Sequence, residues 1–131
     1  MKYLYLAGPI EKCNHDEVYG WRSYVESKLN SNIVPIQPKV LNSNNSKEIL
    51  NQNKKDVLRC DIVLSYIPRK IESRRPSYGT IFELSFAHSI KKDIILVSDD
   101  KYLVEHPIIK EISNIFSNLE KSIEYINSKF C

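Results

Sequence analysis

The run Asp61–Ile67, DIVLSYI, is apolar at all but two positions and shows no polar alternation. A strand with water on one face alternates, whereas a strand covered on both faces does not, and such strands belong to parallel sheets packed between helices. The run therefore predicts a central strand of a parallel sheet. Asp93–Val97, DIILV, repeats the pattern. Lys2–Ala7 alternates and is rich in Tyr and Leu, which predicts a strand stopped by Gly8-Pro9. Asn32–Ile36 reads as a short strand closed by Pro35 and Pro38, and Ile112–Phe116 as a short fifth strand.

Between the strands the apolar period changes to that of a helix. Asp16–Leu29 carries Val18, Trp21, Val25 and Leu29 at helical spacing, with Asn14 or Asp16 as its cap. After a loop at Leu41–Ser46, a second helix opens at Ser46 and runs to about Cys60. Thr80–Lys91 repeats Ile81, Leu84, Ala87 and Ile90 on one side. Ser117-Asn-Leu-Glu120 reads as a capping box, and Leu119, Ile123 and Ile126 give the helix after it a buried stripe. Strand and helix thus alternate along one domain of residues 1–131. Right-handed crossovers then give an open, mostly parallel sheet of about five strands with helices on both faces. Ligands of such sheets sit beyond the carboxyl ends of the strands, near the switch in strand order. The loops Gly8–His15, Pro68–Gly79 and Ser98–His106 are expected to share that rim.

Composition narrows the partners. A formal charge of +3 with no basic helix or long Lys/Arg block argues against a nucleic acid polymer. The longest apolar runs are strand-sized, so no membrane span is expected, and the opening MKYLYLAGPI is read as a strand and not as a signal peptide. Three distant cysteines, Cys13, Cys60 and Cys131, form no zinc pattern and are read as thiols of a cytoplasmic protein.

One charge stands out against this frame. Glu83 falls at the start of an apolar helix, after the small polar residues Ser77, Gly79 and Thr80. Thr80-x-x-Glu83 fits a capping box, in which the glutamate reaches back to a free backbone N–H. The same position lies on the binding rim, where a helix N-terminus favours an ionised carboxylate and backbone N–H groups attract anions. Glu83 is thus either a structural cap or a nucleophile.

Three motifs in order, YLAGPI at the end of the first strand, CDIVLSYI at the third and SYGTIFELSFA on the following helix, resemble the nucleoside 2-deoxyribosyltransferase family. The resemblance spans about Met1 to Val97, and more loosely the last helix. It implies a flavodoxin-like (Rossmann-like) three-layer sandwich and attack by one glutamate, matched by Glu83, on the anomeric carbon of a 2-deoxynucleoside. It implies a covalent glycosyl-enzyme of the kind retaining glycosidases form. It implies no metal or organic cofactor, and a homo-oligomer whose sites are completed by a neighbouring subunit. Tyr5 matches a tyrosine that orients the glutamate; the other reading puts its ring in the core. Gly8, Pro9, Ile10, Asn53, Gly79 and Thr80 are candidate substrate-binding residues, and His106 is a candidate donor from the loop after the fourth strand.

Two departures matter. Transferases of the family carry an aspartate six residues before the glutamate, where this chain has Ser77. A serine there resembles the branch that hydrolyses deoxynucleoside 5′-monophosphates. An aspartate repels a phosphate, whereas a hydroxyl and flanking N–H groups donate to it. Arg69, Lys70, Arg74 and Arg75 add positive charge to the same loop, or simply make it a solvated one. The second departure is Asn53, where relatives place an acid. Asp56, three residues on, could supply the proton for the leaving base, or could be a surface residue paired with Arg59. His88 is read as structural, and Asn14 and His15 as cap or loop lining. The competing functions are a nucleotide-binding module without catalysis and a glycohydrolase of an NAD-type substrate.

Overall fold

The computed structural model describes residues 1–10, 13–38, 45–68 and 78–130. Five strands, β1 (Lys2–Ala7), β2 (Ile33–Ile36), β3 (Ile62–Tyr66), β4 (Asp93–Val97) and β5 (Asn114–Phe116), form one sheet in the order β2-β1-β3-β4-β5. Every pairing is parallel. The helices are α1 (His15–Lys28), α2 (Ser46–Arg59), α3 (Tyr78–Ser89), α4 (Lys101–Val104), α5 (Pro107–Ile112) and α6 (Leu119–Lys129). Strand order reverses beside β1: the chain runs outward to β2, then crosses back to β3.

The period-two alternation of each strand divides the core in two. Leu4, Leu6, Ile62, Leu64, Ile95 and Val97 face Trp21 and Val25 of α1 and Ile123 and Ile126 of α6. Tyr5, Ala7, Val63 and Ile94 face Val57 of α2 and Leu84 and Ala87 of α3. Both faces of β3 are covered, which is why DIVLSYI lacks polar alternation. Ile36, Tyr5, Val63 and Ile94 lie in register as one row across the second face.

Several boundaries differ from the sequence reading. Pro35 lies inside β2, opposite Leu4, and does not close it. An edge strand tolerates proline because one side of it needs no N–H donor. Asn14 caps α1 through a capping box with Glu17. Asn118, not Ser117, caps α6, its Oδ1 accepting from the Lys121 N–H at 2.9 Å. Segment 98–106, expected as loop, contains α4, and His106-Pro107 opens α5, whose residue Ile112 had been assigned to the last strand. Proline suits a first helical position because no partner awaits its missing N–H. Helix α3 starts at Tyr78 and ends at Ser89, short of Lys91, which adopts φ 61°. Most of the expected loop at Leu41–Ser46 lies outside the described residues, as do Arg69, Lys70, Arg74, Arg75, Ser77 and Cys131.

Candidate active site

Glu83 lies in the second turn of α3, because the helix begins at Tyr78. Thr80 is a helical residue and not the cap, so the expected capping box does not form. Thr80, Glu83, Leu84 and Ala87 recur three and four residues apart and make the inward face of α3. Glu83 therefore points at the sheet, with 7% of its surface exposed. Its Oε2 accepts a hydrogen bond from the Tyr5 hydroxyl. Its Oε1 makes no hydrogen bond among the described residues and is not one of the enclosed polar atoms.

Tyr5 satisfies both expectations at once. Its ring is fully buried in the row between β2 and β3, and its hydroxyl reaches Glu83. Burial, then the neighbouring Glu83 charge, raises the phenol far above its ordinary range, so it remains a donor. Burial also dominates at Glu83 and pushes its pKa from 4.5 up to about 7. The Tyr5 hydrogen bond and the charge of Arg22 oppose that rise, and Asp56 adds to it. The expected stabilisation of the anion by the helix end is thus outweighed, since a second-turn side chain lies past the reach of the helix dipole.

Asp56 projects from α2 towards the same place. It is 2% exposed, not a surface residue, although its pairing with Arg59 at 3.5 Å is present. The Gln52 amide donates to Oδ1 at 3.1 Å, while Oδ2 is enclosed and unpartnered among the described residues. The Ser65 hydroxyl is likewise enclosed and unpartnered. It follows Val63 by two residues, so it shares the Tyr5 face of the sheet one step nearer the carboxyl edge. These two enclosed atoms without partners, on the side of the sheet that carries Tyr5, mark places where a ligand group or water can complete the bonding. Asn53 sits half-buried one turn before Asp56.

Gly8 and Pro9 are buried at the end of β1 and Ile10 is half-buried, its carbonyl accepting from the Cys13 N–H at 3.1 Å. A methyl group at Gly8 would lie 2.8 Å from Trp21 Cζ2 and 3.0 Å from the Tyr66 carbonyl oxygen, so only glycine lets the turn fit here. A cleft of about 450 Å³ opens beside this turn, lined by Pro9, Asp16, Trp21, Tyr66, Pro68 and Asp99. It lies on the α1 side of β1, and Glu83 on the α3 side. Gly79 is exposed, with open space where a side chain would go. His106 is exposed too. It caps α5, Nδ1 accepting from the Ile108 N–H at 3.2 Å, and is not gathered with the Tyr5–Glu83 pair. His88 is exposed in the last turn of α3.

The family model described as Nucleoside 2-deoxyribosyltransferase matches residues 4–120. The chain belongs to the nucleoside 2-deoxyribosyltransferase family. That family is enzymatic, and its reaction class is N-glycosyl transfer on deoxynucleosides. No curated protein matches the chain. Among solved structures, a 2-desoxiribosyltransferase from Leishmania mexicana superposes with a TM-score of 0.80 at 19% identity, over 100% of both chains. A conserved protein from Enterococcus faecalis V583 gives 0.74 at 17% identity over 99% of each chain. A 2-deoxyribosyltransferase from Bacillus psychrosaccharolyticus gives 0.74 at 14% identity, over 97% of this chain and 94% of that one. At these identities the likeness establishes the shared α/β fold.

Within this deoxyribosyltransferase-family fold, the sequence reading overlooked Arg22 and Ser65. Arg22 follows Trp21 on α1 and looks like a surface residue, yet it is 1% exposed. The only signal was its place between Val18 and Val25, on the helix face that carries the apolar stripe. Among the described residues, no group of His, Cys, Asp and Glu could hold a metal, and no helix is long and apolar enough to cross a membrane.

Proposed function

We propose that the protein cleaves the N-glycosidic bond of a 2-deoxynucleoside or its 5′-monophosphate through a covalent ester on Glu83. The observation that carries this reading is the Tyr5–Glu83 pair: a carboxylate buried at the sheet's switch point, with one oxygen held by a phenol and the other unbonded. Glu83 Oε1 is the attacking atom, because Oε2 is engaged. It bonds to C1′ while the C1′–N bond breaks and its electron pair leaves with the base, passing through an oxocarbenium-like state. Asp56 is the acid that protonates the base in this scheme, and its Oδ2 is the oxygen without a hydrogen-bond partner among the described residues. Water or a second base then attacks C1′ and releases the Glu83 carboxylate, the attacker's proton passing to the Asp56 carboxylate, giving hydrolysis or transfer.

Hydrolysis of monophosphates is favoured over base exchange on the strength of Ser77 and the basic loop, which lie outside the described residues. Gly8, Pro9, Ile10, Asn53, Ser77, Gly79 and Thr80 are the proposed contacts to substrate. His106 is proposed to serve a neighbouring site in a cytoplasmic homo-oligomer. Enclosure of Asp56 Oδ2 favours one competing reading, a module that binds nucleotide without breaking it. A screen of deoxynucleosides and their monophosphates, following free base by chromatography, separates the two. Base release that disappears in Glu83→Ala supports the proposal. Binding without release, or turnover unchanged in Glu83→Ala, overturns it, and release of nicotinamide from NAD redirects it.

A further inference from the structure

Arg22 is the only buried cation among the described residues, and no carboxylate there lies within ion-pair distance of it. Its guanidinium spends its N–H groups on backbone. Nη1 donates to the Val18 carbonyl one turn earlier. Nε and Nη2 lie 3.4 Å from the Leu6 carbonyl oxygen, and Nη2 is 3.3 Å from that of Gly8. Gly8 follows Ala7, the last paired residue of β1, so its carbonyl has no ladder partner. The guanidinium carbon also lies 4.6 Å from the centre of the Trp21 ring, which in turn packs against Gly8. Holding these carbonyls needs only a neutral donor. A full charge in an apolar interior costs free energy unless another charge offsets it.

We propose that Arg22 is a positioning residue for the reaction: it clamps the end of β1, which carries Tyr5 and the Gly8-Pro9-Ile10 turn, and supplies the positive field that keeps Glu83 usable as an anion. Among the described residues, the charged and titratable groups acting on Glu83 are Tyr5 from β1, Asp56 from α2 and Arg22 from α1. Of these only Arg22 is cationic. Arg22 in turn faces Tyr5, Glu83, Tyr19 and Cys13. Burial lowers its own pKa, and Tyr5 and Glu83 work against that fall. A strand end tied to α1 on one face and to Glu83 through Tyr5 on the other links the two sides of the sheet.

The role assigned to Arg22 rests on Glu83 being the nucleophile, and two readouts keep the ideas separable. The first is the acid limb of kcat/KM against pH; the second is the Glu83 carboxyl titration followed by carbon-13 NMR, which needs no turnover. Arg22→Met should raise both midpoints by about one pH unit. Arg22→Lys should leave both close to wild type and lower kcat/KM about tenfold, since one ammonium cannot span two carbonyls. Loss of turnover in Glu83→Ala confirms the underlying reading. Turnover that persists there removes the nucleophile assignment, while the NMR titration still decides the coupling. Unchanged midpoints in Arg22→Met overturn the proposal. If Arg22→Met does not fold, a raised midpoint in Arg22→Lys, or its failure to fold as well, makes the residue merely structural and overturns it too.

Discussion

Replacing Glu83 by glutamine should stabilise the protein, and the gain should grow with pH. A carboxyl whose pKa rises from 4.5 to about 7 binds its proton about 3 kcal/mol more tightly in the folded chain than in the unfolded one. Below the unfolded value both states hold the proton, and this contribution to stability is fully present. Between the two values the unfolded chain binds fewer protons, so stability falls as pH rises, and above about 7 the loss is complete. Glutamine is neutral throughout and can still accept from the Tyr5 hydroxyl. The exposed histidines and other titrating groups are common to both proteins and cancel in the difference. In a chain of 131 residues about 3 kcal/mol amounts to about 10 °C in Tm. Relaxation around the ionised side chain makes that an upper figure. Scanning calorimetry of both proteins between about pH 5 and about pH 8 measures it. A Tm difference that stays flat over this range, or a glutamine variant less stable at the alkaline end, would refute the claim that Glu83 is held against its charge.

Tyr5→Phe keeps the ring in its row and removes the hydrogen bond that favours the Glu83 anion; kcat/KM at neutral pH should fall about tenfold or more, with the acid limb moved upward. An unaltered pH profile would mean the phenol only packs. Gly8→Ala forces a methyl group against Trp21 and the Tyr66 carbonyl, so urea unfolding should show a loss of about 1–3 kcal/mol with no change in m. A loss near zero would mean the turn opens freely. Lys91→Gly relieves a left-handed residue after α3 and should raise stability by roughly 1 kcal/mol; a decrease would point to a contact made by the lysine side chain.

The sheet was legible because hydrophobic burial writes directly into residue order. The unbroken runs at 61–67 and 93–97 appear as β3 and β4, and the Val18, Trp21, Val25 stripe as the buried face of α1. What was misplaced depended on local competition among polar groups. Asn118 lies next to Ser117 and caps equally well, and nothing in the sequence ranks one above the other. Helices α4 and α5 are too short to show a period. The candidate site was legible in part. Glu83 and Tyr5 were located by motif, and their contact joins residues 78 positions apart. The electrostatic sign at Glu83 was misjudged, because a helix start is visible in sequence whereas the depth of burial is not. Arg22 was missed for the same reason.

Burial and reactivity are connected at Glu83. A carboxylate exposed to water is a weak nucleophile because its solvation must be stripped before it can attack. Here that desolvation has already occurred on folding, and its cost appears as the raised pKa. Tyr5 and Arg22 return part of the lost stabilisation through one hydrogen bond and one positive charge, leaving an acid that is about half ionised near neutrality. A deeper pocket without them would keep the proton, and the proposed nucleophile would be lost. A wetter one would keep the anion and dull it. Asp56 pushes the opposite way, since its negative charge favours a protonated Glu83. In the proposed scheme Asp56 enters protonated and becomes the anion as it gives its proton to the leaving base, while Glu83 loses its charge in the ester. In that scheme the two carboxyl groups share a single negative charge, on Glu83 before the ester forms and on Asp56 after it, so no step sets both charges side by side. The proposed glycosyl-enzyme would thus form and break without burying a second charge, which is how a pair of carboxyl groups can serve a retaining mechanism inside a protein.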